Sequence, residues 1–233
     1  MIKAIVFDLD NTLVDFMRMK EQSVISAVEA MIDAGLTLGK QEAIDKIFEV
    51  YKREGIEDQK VFDKFLAEYV GDIDYRILAA GIVAYRRAKE ASLVLYPHVQ
   101  YTLMELLKRG LRLAVVSDAP RLQAWTRLAH FGLHHFFEVV VTYDDSNERK
   151  PSPKPFLITL ERLGVEPGES IMVGDWAERD ITGAAKIGMI TVFARYGDTF
   201  GTVNSGADYD IDDIIELLRI VDELNSTGRE KGA

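Results

Sequence analysis

The strongest constraint on the fold is a pattern that recurs four times after residue 96, in which a helical segment stops at a glycine and a short apolar strand follows. The four glycines are Gly110, Gly132, Gly164 and Gly188. Glycine commonly ends helices, because it adopts a left-handed conformation without steric penalty. Helices that alternate with apolar strands are typical of βαβ units, so the pattern predicts a parallel sheet with helices on both faces.

The first 95 residues of the chain have a different pattern. Residues 2–7 are apolar, rich in β-branched side chains and almost uncharged, which predicts another strand of the same sheet. From residue 16 to residue 95, apolar side chains recur at helical spacing and no strand is indicated. We therefore expect an α/β fold: a doubly wound, Rossmann-like parallel sheet formed by residues 1–15 and 96–233, with a helical-bundle cap, residues 16–95, inserted after the first strand.

Composition excludes several classes of function. The 233-residue chain carries a net charge of -10, which argues against a nucleic-acid partner held by phosphate contacts. It contains no cysteine, so disulfides, thiolate nucleophiles and cysteine-bound metals are excluded. No stretch is apolar and long enough to span a bilayer, and no exposed apolar stripe stands out. We expect a cytoplasmic monomer without a membrane partner.

Polar side chains follow the predicted strands at the points where the strands end. Asp8 and Asp10 follow the first strand, Ser117 and Asp118 follow the second, and Asp175 follows the fourth. The carboxyl ends of parallel strands meet at one edge of the sheet, where ligands bind. Acids that crowd together there repel one another, so the edge requires a cation or a shared proton.

These residues form an ordered set of motifs that resembles the haloacid dehalogenase superfamily, in its phosphatase branch with a helical cap after the first motif. Residues 8–12, Asp-Leu-Asp-Asn-Thr, are similar to the D-x-D-x-T motif of that family. Ser117 is similar to the second motif, and Lys150 before Pro-Ser-Pro to the third. Asp175 and Asp180 fit the fourth motif, G-D-x4-D. Each motif is weak alone, but the ordered set covers nearly the whole chain.

The resemblance implies a role for each motif residue. Asp8 would attack phosphorus and form an aspartyl-phosphate, for which an ionised carboxylate needs no activating base. Asp10 would protonate the leaving alkoxide and then deprotonate the attacking water. Lys150 would neutralise phosphoryl oxygens in the transition state. Thr12, Ser117 and Asp118 are the further residues expected to bind substrate, although Asp118 replaces an Asn that is common in the family.

The resemblance also implies Mg²⁺ as cofactor, because the acids and a phosphate dianion cannot share a crevice without a cation. Its expected ligands are the side chains of Asp8 and Asp175 and the backbone carbonyl of Asp10. Asp180 is expected behind these ligands, where it orients Lys150 or a metal-bound water.

Purely structural roles remain open for some of these residues. Ser117 is a good helix N-cap, and Asp180 is placed to cap the helix predicted at residues 181–187. Lys154 is a second lysine that is able to neutralise phosphoryl oxygens in place of Lys150.

The sequence thus predicts a Mg²⁺-dependent phosphomonoesterase that acts on a small phosphorylated metabolite, with a sugar or triose phosphate such as glyceraldehyde 3-phosphate as one candidate. Three alternatives stay open. A 2-haloacid dehalogenase needs neither a second acid nor a metal, so Asp10 and Asp175 argue against it. A phosphomutase is hard to separate from a phosphatase by sequence. A non-catalytic binder of phosphorylated ligands is the third, although here no motif residue has been lost.

Overall fold

The computed structural model describes residues 1–230, and within that range six segments are strands. They are β1 (Ala4–Phe7), β2 (Arg112–Val116), β3 (Val139–Val141), β4 (Ser170–Gly174), β5 (Ile190–Ala194) and β6 (Tyr209–Ile211). The strands form one sheet in the order β3-β2-β1-β4-β5-β6, and all pairs are parallel. This confirms the predicted parallel α/β sheet. The order reverses on either side of β1, so a crevice is expected beside the carboxyl end of this strand.

The described residues also contain ten α-helices. They are α1 (Phe16–Asp33), α2 (Lys40–Glu54), α3 (Val61–Phe65), α4 (Tyr75–Ser92), α5 (Val99–Lys108), α6 (Arg121–His130), α7 (Tyr143–Ser146), α8 (Pro153–Leu163), α9 (Thr182–Ala185) and α10 (Glu216–Glu230). Two π-helical turns extend this set, Leu66–Val70 after α3 and Ala177–Ile181 before α9. No helix within residues 1–230 is both long and apolar enough to cross a membrane.

The chain divides into two compact units, Met1–Asp15 with the chain from Leu95 onward, and Phe16–Val94. In the first unit, Ala4 and Val6 of β1 are fully buried and belong to one apolar cluster with Phe156 of α8. The start of α8 follows from its sequence, because the Ser152 side chain accepts a hydrogen bond from the N–H of Lys154. The helix ends at Gly164, which is left-handed as the sequence pattern requires.

The second unit consists of four helices around its own apolar core. Helices α1 and α4 approach closely at Gly81, where a Cβ atom would lie 2.1 Å from Cε of Met31. The core also contains a buried cation, Lys20, whose Nζ donates a hydrogen bond to Tyr85 Oη over 2.9 Å. The same Nζ lies 4.1 Å from the ring centroid of Tyr51, so cation–π attraction offsets part of its desolvation.

Strand β6 was not predicted from the sequence. It has only three residues, Tyr209-Asp210-Ile211, and Ile211 alone is buried. It lies at the edge of the sheet and pairs only with β5 among the described strands. A strand this short and partly polar shows no apolar run, so the sequence carries no periodic signal for it.

The close packing around Gly197 predicts how a substitution there changes the stability of the first unit. It is buried, and a Cβ atom there would lie 1.7 Å from the carbonyl oxygen of Asn11, a backbone atom that cannot move aside cheaply. We expect Gly197→Ala to lower the free energy of unfolding by about 3 kcal/mol, as overpacking does. Urea denaturation measures the loss.

Gly168→Ala is the matched control, because no atom lies within 4 Å of the Cβ position at this exposed glycine. It should change the free energy of unfolding by no more than about 0.5 kcal/mol. Equal effects of the two substitutions would contradict the steric argument.

Candidate active site

Lys150 lies at the centre of the site. Its Nζ forms a short ion pair with Oδ1 of Asp8 and a second one, 2.6 Å long, with Oδ1 of Asp180. The same Nζ donates a hydrogen bond to the carbonyl oxygen of Val116 over 3.2 Å. Lys150 is 4 % exposed, Asp8 7 % and Asp180 1 %, so both charged contacts lie out of bulk water. Three groups from distant parts of the chain therefore meet at the carboxyl ends of β1 and β2.

Asp175 joins these acids from the end of β4. One carboxylate oxygen each of Asp8, Asp175 and Asp180 lies within 4.8 Å of the other two. Gly174 makes the approach of Asp180 possible, because a Cβ atom at this position would lie 2.4 Å from Oδ2 of Asp180. The backbone N–H of Trp176 donates to this Oδ2 over 3.1 Å, which fixes the carboxylate. The glycine of the G-D motif is thus required because a side chain at this position would collide with Asp180.

The electrostatics of the cluster show an excess of negative charge. Burial raises the pKa of Asp8 to about 8, against the opposing effect of Lys150. Burial and the neighbouring Asp8 raise the pKa of Asp175 well above its usual value. Burial alone would lower the pKa of Lys150, but Asp180 and Asp8 outweigh it and hold that pKa above its usual value. Three buried carboxylates against one ammonium group fit an added cation that prefers oxygen ligands, such as Mg²⁺.

Thr12 supports Asp175. The Thr12 hydroxyl donates a hydrogen bond to Oδ1 of Asp175 over 3.1 Å, and the side chain of Thr12 is fully buried. The carbonyl oxygen of Thr12 in turn accepts a hydrogen bond from the hydroxyl of the half-buried Tyr196 over 2.9 Å. Burial and the charge of Asp175 raise the pKa of Tyr196, so its hydroxyl stays a donor. In the structure Thr12 therefore orients an acid of the cluster.

Ser117 and Asp118 lie at the end of β2. The buried Ser117 hydroxyl oxygen accepts a hydrogen bond from the N–H of Ala119 over 3.1 Å, as in a helix-cap or turn contact. Asp118 accepts from the backbone N–H of Lys150 over 3.0 Å through Oδ1. Its Oδ2 pairs with Nη1 of Arg179, also at 3.0 Å. Asp118 thus fastens the backbone that carries Lys150.

The side chain of Asp10 takes a different direction from those of the acidic cluster. Its Oδ2 lies 2.8 Å from Nη1 of Arg127, a residue of α6 that is 3 % exposed. Sequence reasoning missed Arg127, although one signal was present. Arg127 occupies the same buried face of α6 as Ala124 and Leu128, where an unpaired charge would be costly.

Comparisons with known proteins show the family of the chain. The family model of haloacid dehalogenase-like hydrolases matches residues 5–194. The glyceraldehyde 3-phosphate phosphatase of Methanopyrus kandleri is 38% identical over 230 residues, 96% of this chain and 99% of that protein. The glyceraldehyde 3-phosphate phosphatase of Methanocaldococcus jannaschii is 37% identical over 227 residues, 96% of this chain and 99% of that protein.

Solved structures show the same likeness. The crystal structure of a HAD phosphatase from Thermococcus onnurineus superposes with a TM-score of 0.70 at 31% sequence identity. The superposition covers 94% of this chain and 98% of that one. The resemblance inferred from the four motifs is thereby confirmed.

The raised pKa of Asp8 predicts how stability depends on pH when no divalent cation is bound. The folded protein retains a proton on Asp8 that the unfolded chain releases above its ordinary pKa of 3.8. The contribution of Asp8 to the free energy of unfolding is therefore fully present below about pH 4. It is lost as the pH rises to about 8, and it does not change further above that pH. In EDTA we expect the thermal midpoint to fall between about pH 5 and about pH 8.

Two variants distinguish the contribution of Asp8 to this pH dependence from the contributions of other groups. Asp8→Asn should show a smaller fall, whereas Asp222→Asn should keep it, because the pKa of the surface residue Asp222 is lowered and lies outside this range. Added Mg²⁺ should reverse the fall, since cation affinity grows as the carboxylates lose their protons. Identical pH profiles for wild type and Asp8→Asn would contradict the assignment.

Proposed function

The chain belongs to the haloacid dehalogenase-like hydrolase family and to its phosphatases, and from that premise we propose its reaction. The protein hydrolyses the phosphate monoester of a small metabolite, with Mg²⁺ as cofactor and an aspartyl-phosphate on Asp8 as intermediate. The observation that carries the proposal is the buried cluster of Asp8, Asp175 and Asp180 around Lys150. One buried site thereby holds a carboxylate able to act as nucleophile, an ammonium group able to face phosphoryl oxygens, and oxygen ligands for a cation.

The reaction has two steps. A carboxylate oxygen of Asp8 attacks phosphorus, the bond from phosphorus to the ester oxygen breaks, and Asp10 gives its proton to that oxygen. In the second step water attacks the phosphorus of the aspartyl-phosphate while Asp10 takes a proton from it. The bond between phosphorus and Asp8 breaks, inorganic phosphate leaves, and Asp8 is regenerated.

Other residues bind and orient the reacting groups. Lys150 neutralises phosphoryl oxygens as negative charge spreads over them, and its contacts with Asp8 and Asp180 hold its ammonium group in place. The Ser117 hydroxyl, at the end of β2, binds the same oxygens. Asp118 acts indirectly on the substrate, because it holds the backbone N–H of Lys150.

The residues present fit Mg²⁺. The side chains of Asp8 and Asp175 and the backbone carbonyl of Asp10 would hold the ion, and Thr12 would orient Asp175 through its hydroxyl. Bound there, the cation supplies positive charge that offsets the acids and the phosphate dianion. Asp180 keeps its contact with Lys150 and the Trp176 N–H and serves as a support for the ligands.

We propose glyceraldehyde 3-phosphate as the first substrate to test. Two relatives that match nearly the whole chain carry the name of a phosphatase for this triose phosphate. We further propose that the enzyme is a cytoplasmic monomer that acts on such small phosphate esters.

Hydrolysis assays with purified protein test the reaction. With Mg²⁺, we expect phosphate release from glyceraldehyde 3-phosphate and from p-nitrophenyl phosphate, and EDTA should abolish both. Asp8→Asn should lower kcat by about three orders of magnitude or more, because no nucleophile remains. Acid quenching with labelled substrate should trap phosphate on the wild-type chain and none on Asp8→Asn.

Asp222→Asn is the matched control for Asp8→Asn, since Asp222 lies on the surface in an ion pair with Arg109. It should retain wild-type activity. Equal activity of wild type and Asp8→Asn would refute catalysis by Asp8. Chloride release from 2-chloropropionate without metal would instead indicate a dehalogenase, and an isomerised sugar phosphate a phosphomutase.

A further inference from the structure

Arg127 is a buried cation that none of the four sequence motifs contains. It lies on α6, 117 residues from Asp10, and its Nη1 is 2.8 Å from Asp10 Oδ2. The Arg127 side chain is 3% exposed, whereas that of Asp10 is 23% exposed. The pair therefore joins a buried guanidinium group to a partly exposed carboxylate at the edge of the site.

We propose that Arg127 is a positioning residue that holds the Asp10 carboxylate where it can protonate the leaving oxygen. The inference rests on the proposed phosphatase reaction, in which Asp10 is the proton donor. A guanidinium group suits this task because it is planar, always charged and rigid in its hydrogen-bond directions.

The need for such a partner follows from the position of Asp10. A general acid works only within hydrogen-bond reach of the atom it protonates, and small displacements cost much of its effect. The Asp10 carboxylate is partly exposed, and the charge of the neighbouring Asp8 repels it, which favours a rotation toward water. The pairing with Arg127 opposes that rotation.

The dependence on leaving group separates positioning from a merely structural role. An alkoxide, as in glyceraldehyde 3-phosphate, must be protonated as it leaves, whereas p-nitrophenolate leaves without a proton. The ratio kcat/KM reports the steps up to the first irreversible one, here formation of the aspartyl-phosphate. With Mg²⁺, we expect Arg127→Met to lower kcat/KM for the alkyl ester about 100-fold and for the aryl ester less than about threefold.

The selectivity is the kcat/KM for the alkyl ester divided by the kcat/KM for the aryl ester, both measured on one preparation. This ratio does not depend on the fraction of the protein that is folded. Partial unfolding of Arg127→Met therefore cannot imitate the expected result. Arg127→Lys keeps a positive charge and should recover part of the lost selectivity. Arg219→Met is the matched control, because Arg219 is an exposed residue of α10 paired with Glu223, and it should leave both values unchanged.

Each other outcome overturns the inference in a distinguishable way. Equal losses for both esters would show that Arg127 only supports the fold. A gain on the alkyl ester would show that the ion pair restrains Asp10 instead of positioning it. If wild-type protein with Mg²⁺ hydrolyses neither ester, the proposed function fails and this inference fails with it.

Discussion

The pairing of Lys150 with Asp8 and Asp180 is the interaction on which the rest of the site depends. Three carboxylates lie within 4.8 Å of one another away from water, and such a cluster is unstable without positive charge among them. Lys150 supplies the charge, and Asp118 fixes the backbone from which Lys150 extends. The lysine thereby does two things: it makes the acidic cluster compatible with folding, and it leaves an excess of negative charge that suits a divalent cation.

Much of this arrangement could be predicted from the sequence, because it follows from local patterns. The glycines that end the helices and the apolar runs that follow them located β2 to β5. The parallel sheet that this pattern predicts brings the carboxyl ends of the strands to one edge. Asp8 and Asp175, which follow β1 and β4, meet at this edge, and the strand order in the structure makes them neighbours. The register between these strands pairs Phe7 with Val173, so the two acids leave the sheet close together.

What the sequence did not reveal depends on side chains that meet across long distances. The ion pair of Arg127 with Asp10 and the hydrogen bond of Tyr196 to Thr12 join residues from separate elements. Arg127 and Tyr196 belong to none of the four motifs, so the sequence does not show that they contact the motif residues Asp10 and Thr12. The π-helical turn Ala177–Ile181 was missed for another reason, since one extra residue per turn leaves no clear periodic signal. It matters because it carries Asp180.

The order in which the chain is made has a consequence for the enzyme. Proteins emerge from the ribosome with the N-terminus first, so Asp8 appears long before Lys150, which lies 142 residues later. The helical unit Phe16–Val94 is one continuous segment and can be completed during synthesis. The acidic cluster needs residue 180 and so forms only near the end of translation. Unfinished chains that end before residue 150 therefore contain Asp8 without Lys150, and chains that end before residue 180 lack the complete acidic cluster.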